Sequence, residues 1–301
     1  MTVFLAASLI PVIGVFFLVL LPLVLFVLCF LNDQKTTMTA FFISLGAVLV
    51  VLSLLDAILP VFALATMGLA GILMAQCARQ NYSVEAIILL PTSLILGMIV
   101  LFFVYAGMSA SMSSWALVEK YITEAVELNI NLYGRLPIAA EEISAIQDSK
   151  DTIIYVFARI FPALCVIAIS GTVWINVLAG HKRLTKSGIL LPGLSGLSEW
   201  KAPSWLVWVF IAAGGLSFLP HTQISFVGIN FFLITAFLYL LQGLAIVSFF
   251  FQNKNISIFF RILIYFLIAV QQILMIAIAA VGFFDLWIDF RKYFRKDPTT
   301  A

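Results

Sequence analysis

The sequence predicts an all-α fold, a polytopic transmembrane helical bundle, and two observations carry this prediction. Hydrophobic residues make up 63% of the 301 residues and charged residues only 10%, whereas soluble domains average about 25% charged residues. The chain therefore has too few charges to cover a water-facing surface. Apolar runs also recur at the length of about 20 residues that a helix needs to cross a bilayer, and the sequence shows no short alternating segments typical of a transmembrane barrel.

We count about eight membrane segments, separated by short polar turns. The first is expected to be retained, because its apolar run is much longer than the roughly 7–15 residues of a signal-peptide core. The sixth is short and bounded by Pro203 and Pro220, which makes it the candidate for a re-entrant segment. The eight segments are Val3–Leu31, Thr39–Leu59, Pro60–Ala78, Val84–Met108, Thr152–Ala179, Pro203–Leu219, Ser225–Phe251 and Ile258–Phe284.

The chain is predicted to form a single integral membrane domain, residues 1–301, with one extramembrane insertion at residues 109–151. This insertion lies between the fourth and fifth segments and contains seven of the fourteen acidic residues. Its first half is an amphipathic helix, because Trp115, Val118, Ile122 and Val126 recur at helical spacing. Interfacial helices that bind anionic lipid are rich in Lys and Arg. This acidic helix is therefore expected to pack on the protein itself or on a partner.

The basic residues do not fit a simple eight-span arrangement. The positive-inside rule places basic loops in the cytoplasm, and the two most basic stretches are 181–186 with Lys201, and 291–296. Three predicted segments separate these stretches, which places them on opposite sides of the membrane. Either one of the three does not cross the bilayer, or one stretch departs from the rule. We favour a cytoplasmic C-terminus.

Five polar residues within or beside the apolar segments are candidate ligand-binding residues, because polar groups at membrane depth are costly. They are Asp56, Arg159, Asn230, Gln242 and Gln271. Each also has a structural explanation. Asp56 lies one turn from a hairpin corner and can reach headgroup water, Arg159 can extend its guanidinium to the interface, and the amides can hydrogen-bond to neighbouring helices.

Several classes of function are not expected. The sequence has no Walker motif, no Ser with a plausible His partner, and a single intramembrane aspartate, so we do not expect an enzyme. Cys29, Cys77 and Cys165 lack metal-ligand spacing, and the only histidines are His181 and His221, so we expect neither a metal site nor a cofactor. A net charge of +2 gives no indication of nucleic-acid binding.

Several stretches carry a family resemblance. They are Trp200–Trp208, Gly228–Asn230, Leu238–Ile246 and Gly282–Lys292, with Phe161–Cys165 and Asn176 fitting the same pattern. This pattern resembles the YybS-like family of bacterial membrane proteins, which is distantly similar to the S components of energy-coupling-factor transporters. The resemblance implies a multi-pass protein of the cell inner membrane. It also implies a substrate-binding subunit that takes up a small molecule and depends on a separate energising module.

The last of these stretches contains an interfacial family motif, formed by Asp285, Trp287, Asp289 and Arg291. Aromatic rings at headgroup level followed by charges are typical of a helix that leaves a bilayer. We therefore expect these charged side chains to lie in water.

Three functional hypotheses remain open on the sequence. The first is the substrate-binding subunit, whose partners are the bilayer, other transporter subunits and a small-molecule ligand. The second is a membrane scaffold or biogenesis factor that acts through the acidic insertion and the C-terminal tail, as a subunit of some other membrane complex. The third is a proton-coupled secondary transporter, which requires Asp56 to titrate.

Overall fold

The structure is a computed structural model that describes residues 11–54, 59–134, 144 and 146–294. The all-α prediction is confirmed, since these residues form helices and turns and no strand. The helices are α1 Pro11–Leu31, α2 Gln34–Ser53, α3 Leu59–Arg79, α4 Val84–Ser109, α5 Ser114–Tyr133, α6 Lys150–Lys186, α7 Leu206–Ser217, α8 Thr222–Asn253, α9 Ile258–Val270 and α10 Gln272–Ile288. Short 3-10 turns cover Pro192–Leu194, Leu197–Glu199 and Phe290–Phe294.

Within the described residues, six helices are long and apolar enough to cross a membrane, and a bent pair raises this number to at most seven. They match the first five predicted segments and the seventh. The sixth predicted segment is helical only over the 12 residues of α7, which is shorter than a crossing requires. The eighth is interrupted at Gln271, where α9 and α10 meet at an angle of 102°. The described residues therefore contain six or seven candidate spans, where the sequence predicted about eight membrane segments.

The helix α6 is longer than predicted. It continues through the basic stretch 181–186, which we expected to be a loop, and ends before Gly188, whose φ is +80°. Its 37 residues measure about 56 Å at 1.5 Å per residue, which exceeds the bilayer core of about 30 Å. The basic residues at its end therefore extend beyond the apolar part of the helix.

The described residues form two compact units, residues 1–195 and 196–301, and each is described by itself. In the first unit, α1 packs on α3, α6 and α2. Its buried side chains include Leu21, Leu25 and Phe26. Gly71 of α3 lies directly against the backbone of Pro22, where any Cβ would clash with the proline. A residue without a side chain is therefore required at this crossing.

Asn176 is the most deeply placed polar residue of this unit, with no exposed surface. Its side-chain oxygen accepts from the Leu23 backbone N–H at 3.0 Å, and its side-chain nitrogen donates to the Val19 carbonyl at 3.0 Å. These two backbone groups would pair with each other in an unbroken helix. Pro22 interrupts the hydrogen-bonding pattern at this point, and the amide of α6 satisfies the two groups that are released.

The second unit is built on α8, which packs against α7 and α10. Gly243 of α8 faces the carbonyl of Ile278, and Gly282 of α10 faces the carbonyl of Tyr239, each so closely that a Cβ would overlap the oxygen. Residue 243 of α8 thus lies next to residue 278 of α10, and residue 239 next to residue 282. Residue numbers therefore rise along one helix as they fall along the other, so the two helices run antiparallel. Phe283 completes the contact by packing edge-on against the Tyr239 ring, with ring centroids 5.2 Å apart.

Candidate functional site

The candidate ligand-binding residues have different surroundings in the structure. Asp56 lies outside the described residues. Arg159 is half-buried and donates to the Tyr155 hydroxyl at 2.6 Å. Asn230 is buried and donates to the Phe226 carbonyl of its own helix at 2.8 Å. Gln271 is exposed at the break between α9 and α10. Gln242 joins a buried polar network with Asp285, a residue of the motif near the C-terminus.

That network is centred on Asp285. Its carboxylate accepts from Arg291 at 2.5 Å, from the Gln242 side chain at 3.1 Å and from the Phe290 backbone N–H at 2.9 Å. The Arg291 side chain is 3% exposed and that of Asp285 is 0% exposed. Charge-assisted hydrogen bonds of this kind are the strong ones, and both carboxylate oxygens have partners.

Arg291 also holds the loop before α7. Its Nε donates to the Ser198 carbonyl at 3.1 Å and its Nη2 to the Trp200 carbonyl at 2.8 Å. Gln242 continues the network, because its oxygen accepts from the Ala202 backbone N–H at 3.1 Å. The loop 198–202 is thereby fixed to α8 and to the turn after α10 by these three hydrogen bonds.

These observations correct our interpretation of the interfacial motif. Asp285 and Arg291 were expected in water, but they are buried, because the chain turns back at Asp289, whose φ is +48°. This turn brings residue 291 next to residue 285. Trp287 is 59% exposed and agrees with an interfacial position. No sequence pattern indicated the distant partners of this pair, Gln242, Ser198 and Trp200, which lie more than 40 residues away along the chain.

Asp289, the third charged residue of the motif, is only partly buried. It lies within 3.0 Å of the Lys201 ammonium and 3.6 Å of the Lys292 ammonium. The hydrogen bond from Lys201 lowers the pKa of the Asp289 carboxyl below its usual value, and the positive charges of Lys201 and Lys292 act in the same direction. The pair of Lys201 and Asp289 links the loop before α7 to the end of α10.

A cavity of about 420 Å³ lies in the first unit, between α5 and the segment that begins with Ile146. Its described lining is apolar except for one amide. Five residues line it from α5 at the spacing of a single helix face, and the opposite wall continues into α6. The lining residues are Ile122, Ala125, Val126, Asn129, Ile130, Ile146, Ile153, Phe157 and Phe161.

Two further contacts lie next to the cavity. The ring of Phe161 contacts the ring of Phe103, with centroids 6.3 Å apart. Lys150 and Glu127, which do not line the cavity, form an ion pair of 2.6 Å that joins α6 to α5. The lining of α5 runs from residue 122 to residue 130, which corresponds to about 12 Å along a helix.

The size and lining of the cavity indicate an apolar occupant. The cavity is partly open to its surroundings, since Phe157 in its wall is 47% exposed. The described lining offers one polar side chain, Asn129, whose amide nitrogen already donates to the Ala125 carbonyl at 2.8 Å. Ligand pockets typically measure about 300–1,000 Å³ and are mostly apolar with a few polar groups.

The amphipathic pattern predicted the helix face that lines this site, although it did not predict a site there. Ile122 and Val126 were assigned to the apolar face of the insertion, and both line the cavity. The same pattern continues to Ile130, a signal that we did not use. Trp115 departs from the predicted face, since it is 40% exposed and donates to the Glu119 side chain. The wall formed by Phe157 and Phe161 was missed, because aromatic residues are common throughout the chain.

Comparison with known proteins decides the family. A family model described as "Predicted membrane protein (DUF2232)" matches residues 1–286. The chain belongs to this family. No curated protein and no solved structure matches the chain. With the six apolar helices of the described residues, this membership identifies an integral, multi-pass membrane protein.

Within the described residues there is no group of three His, Cys, Asp or Glu side chains that could hold a metal ion. The buried polar network of the second unit is internally paired through Asp285, Arg291 and Gln242. The described lining of the cavity in the first unit is apolar except for Asn129. Of these two sites, the cavity is therefore the one suited to a ligand.

Proposed function

We propose that this member of the family is a membrane subunit that binds an apolar or amphiphilic small molecule in the cavity between α5 and α6. The observation that carries the proposal is the cavity itself, which has the volume and lining of a ligand pocket. The amphipathic helix α5 packs on α4 and α6, so its apolar face is turned towards the protein and available to a ligand held there.

We further propose that the protein acts in a bacterial inner membrane and is not itself an enzyme. An S-component-like role, in which a separate module supplies the energy, agrees with the absence of a Walker motif from the sequence. This site differs from the amides that the sequence suggested as ligand-binding residues. Of those amides, Asn230 and Gln242 contact protein groups, and Gln271 is exposed.

A test uses two matched tryptophan substitutions on α5. Ala125 lines the cavity, whereas Leu128 on the same helix is 60% exposed. Small molecules extracted from the purified protein are compared by mass spectrometry. We expect an apolar compound to co-purify with the wild type and with Leu128→Trp and to be lost from Ala125→Trp. Equal recovery from all three proteins would show that the cavity does not hold it.

The dependence on a partner has its own test. Affinity purification in mild detergent should recover an ATPase or a further transmembrane subunit with the wild-type protein. If the small molecule is recovered without any such partner, the binding function stands, but the dependence on a separate energising module is contradicted.

The scaffold hypothesis is the second candidate, and one observation favours it. The water-facing side of α5 presents acidic side chains, and Glu124 makes only a long ion pair of 3.9 Å with Lys120. Under this hypothesis, deleting residues 119–148 would disrupt a protein complex while leaving small-molecule uptake unchanged. The proton-coupled hypothesis rests on Asp56, and Asp56→Asn would abolish transport if it held.

A further inference from the structure

We infer that the eighth predicted segment, α9 with α10, is a re-entrant element that enters and leaves the membrane on the same side, the cytoplasmic one. Hydrogen bonds within the second unit and the exposed surface of α9 carry this inference, which is independent of the proposed ligand.

Ser198, in the loop before α7, contacts the chain both before and after the eighth segment. Its hydroxyl donates to the Gln252 side chain at the end of α8, at 3.2 Å, and its carbonyl accepts from the Arg291 Nε at 3.1 Å. A segment that crosses the bilayer separates its two ends by the hydrocarbon core of about 30 Å, which two side chains that meet at one serine do not bridge. The chain therefore leaves the membrane after α10 on the side at which α8 ends.

The end of α10 lies far from the start of α8. Asp285, in the last turn of α10, accepts from the Gln242 side chain at 3.1 Å. Gln242 is 20 residues from the start of α8 at Thr222, which is about 30 Å along the helix. The left-handed turn at Asp289 then brings Arg291 back to Asp285.

The chain that contains the sixth predicted segment, by contrast, follows α8 along its length. At one end Ser198 contacts Gln252, and at the other end the Ser217 carbonyl accepts from the Ser225 hydroxyl at 2.6 Å. Residues 225 and 252 are about 40 Å apart along α8, so residues 198–217 complete a crossing for which α7 alone is too short.

The buried polar network makes this crossing possible, because part of it is not helical. Non-helical backbone at membrane depth is tolerated where the protein satisfies its polar groups. The Ala202 N–H donates to Gln242, and the carbonyls of Ser198 and Trp200 accept from Arg291.

The same arrangement removes the conflict between the two basic stretches. Lys201 lies 3.0 Å from Asp289, so the loop before α7 and the turn after α10 are on one side of the membrane. Between Lys186 and Leu197 the chain forms only a 3-10 turn of three residues, which places the basic end of α6 on that side too. The positive-inside rule identifies this side as the cytoplasm.

The surface of α9 places this helix in the membrane rather than in water. Its exposed side chains are apolar, and among them Phe259 is 68%, Ile262 64% and Phe266 62% exposed. Its one charged residue, Arg261, donates to the Phe251 carbonyl at the end of α8, at 3.1 Å. Soluble surfaces rarely present an apolar patch of this kind.

The test is cysteine accessibility in the full-length protein. Lys254→Cys and Lys292→Cys, at exposed positions on either side of the eighth segment, are treated with a membrane-impermeant maleimide in right-side-out and in inverted membrane vesicles. We expect both to be labelled only in inverted vesicles, and His221→Cys, at the other end of α8, only in right-side-out vesicles. The wild type is the blank, because its three cysteines are buried or half-buried. Labelling of the denatured proteins confirms that each new cysteine is present.

Phe266→Cys should be labelled in neither preparation before denaturation. Labelling of Lys254→Cys and Lys292→Cys in opposite preparations would show that the eighth segment crosses and would overturn the inference. Labelling of Phe266→Cys as readily as Lys254→Cys would place α9 in water and would also overturn it. If Lys254→Cys and Lys292→Cys are both labelled only in right-side-out vesicles, the cytoplasmic orientation is wrong and the re-entrant element stands.

Discussion

The guanidinium of Arg291 lies 2.5 Å from the carboxylate of Asp285, and both side chains are buried. The pair is separated by six residues in sequence and is brought together by the left-handed turn at Asp289. Gln242 of α8 and the carbonyls of Ser198 and Trp200 complete its hydrogen bonds. A buried ion pair is tolerated when its remaining polar atoms are satisfied, and this network meets that condition.

We expect Asp285→Ala to lower the free energy of unfolding of the detergent-solubilised protein by about 3–5 kcal/mol, because it leaves the Arg291 charge buried without its carboxylate. Arg291→Met should have a similar effect. The double variant should cost clearly less than the sum, which a double-mutant cycle measures. Lys292→Ala, at an exposed neighbour, is the control with little effect. Additive single effects would show that the two residues do not act as a pair.

We expect the contribution of Asn176 to stability to depend on the interruption of α1 by Pro22. Asn176→Leu leaves the Leu23 N–H and the Val19 carbonyl without the amide that binds them, and each unpaired buried group costs about 1–3 kcal/mol. With Pro22→Ala the helix can restore its own hydrogen bond between these groups. We therefore expect Asn176→Leu to be less destabilising in the Pro22→Ala background, as measured by thermal unfolding. An equal loss in both backgrounds would contradict this coupling.

Gly243→Ala should destabilise the protein although alanine favours helix. The new Cβ would overlap the Ile278 carbonyl, and overpacking of this kind costs about 1–3 kcal/mol, more than the gain in helix propensity of about 1 kcal/mol. At Gly97 a Cβ has no neighbour within 4 Å, so Gly97→Ala should be neutral or stabilising. Melting temperatures that move in the same direction for both variants would show that the α8–α10 crossing is not tight.

The surface pair of Lys201 and Asp289 predicts a pH dependence. The pKa of Asp289 is lower in the folded protein than its usual value of 3.8, so its contribution to stability is present above that value. It is lost as the pH falls through the lowered folded-state pKa. The difference in stability between the wild type and Asp289→Asn, under about 1 kcal/mol for a partly exposed pair, should vanish in strong acid. A stability difference that persists in strong acid would show that the ionised Asp289 carboxylate is not its cause.

The sequence predicts the helical membrane class because hydropathy follows from local composition, and every long apolar helix of the described residues was anticipated. It does not predict the bend at Gln271. That break has no proline or glycine, and the apolar run continues through it. Burial of Asp285 is likewise invisible in sequence, since its partner Gln242 is brought to it by the crossing of α8 and α10.

The candidate site could be predicted on one side only. The apolar face of α5 is a periodic pattern within a single helix, so Ile122 and Val126 were found. The facing wall depends on how α6 packs, and among many Phe residues nothing in the sequence marks Phe157. The candidates Asn230 and Gln242 make contacts within the protein, Asn230 with its own helix and Gln242 with the loop before α7, and the sequence does not distinguish these roles from ligand binding.

The most direct test of the central claim is native mass spectrometry of the delipidated protein titrated with dodecylamine. The account predicts saturable binding of one molecule to the wild type and to Leu128→Trp, and loss of that binding in Ala125→Trp, which fills the cavity between α5 and α6. Binding that does not saturate, or that is unchanged in Ala125→Trp, would contradict the account.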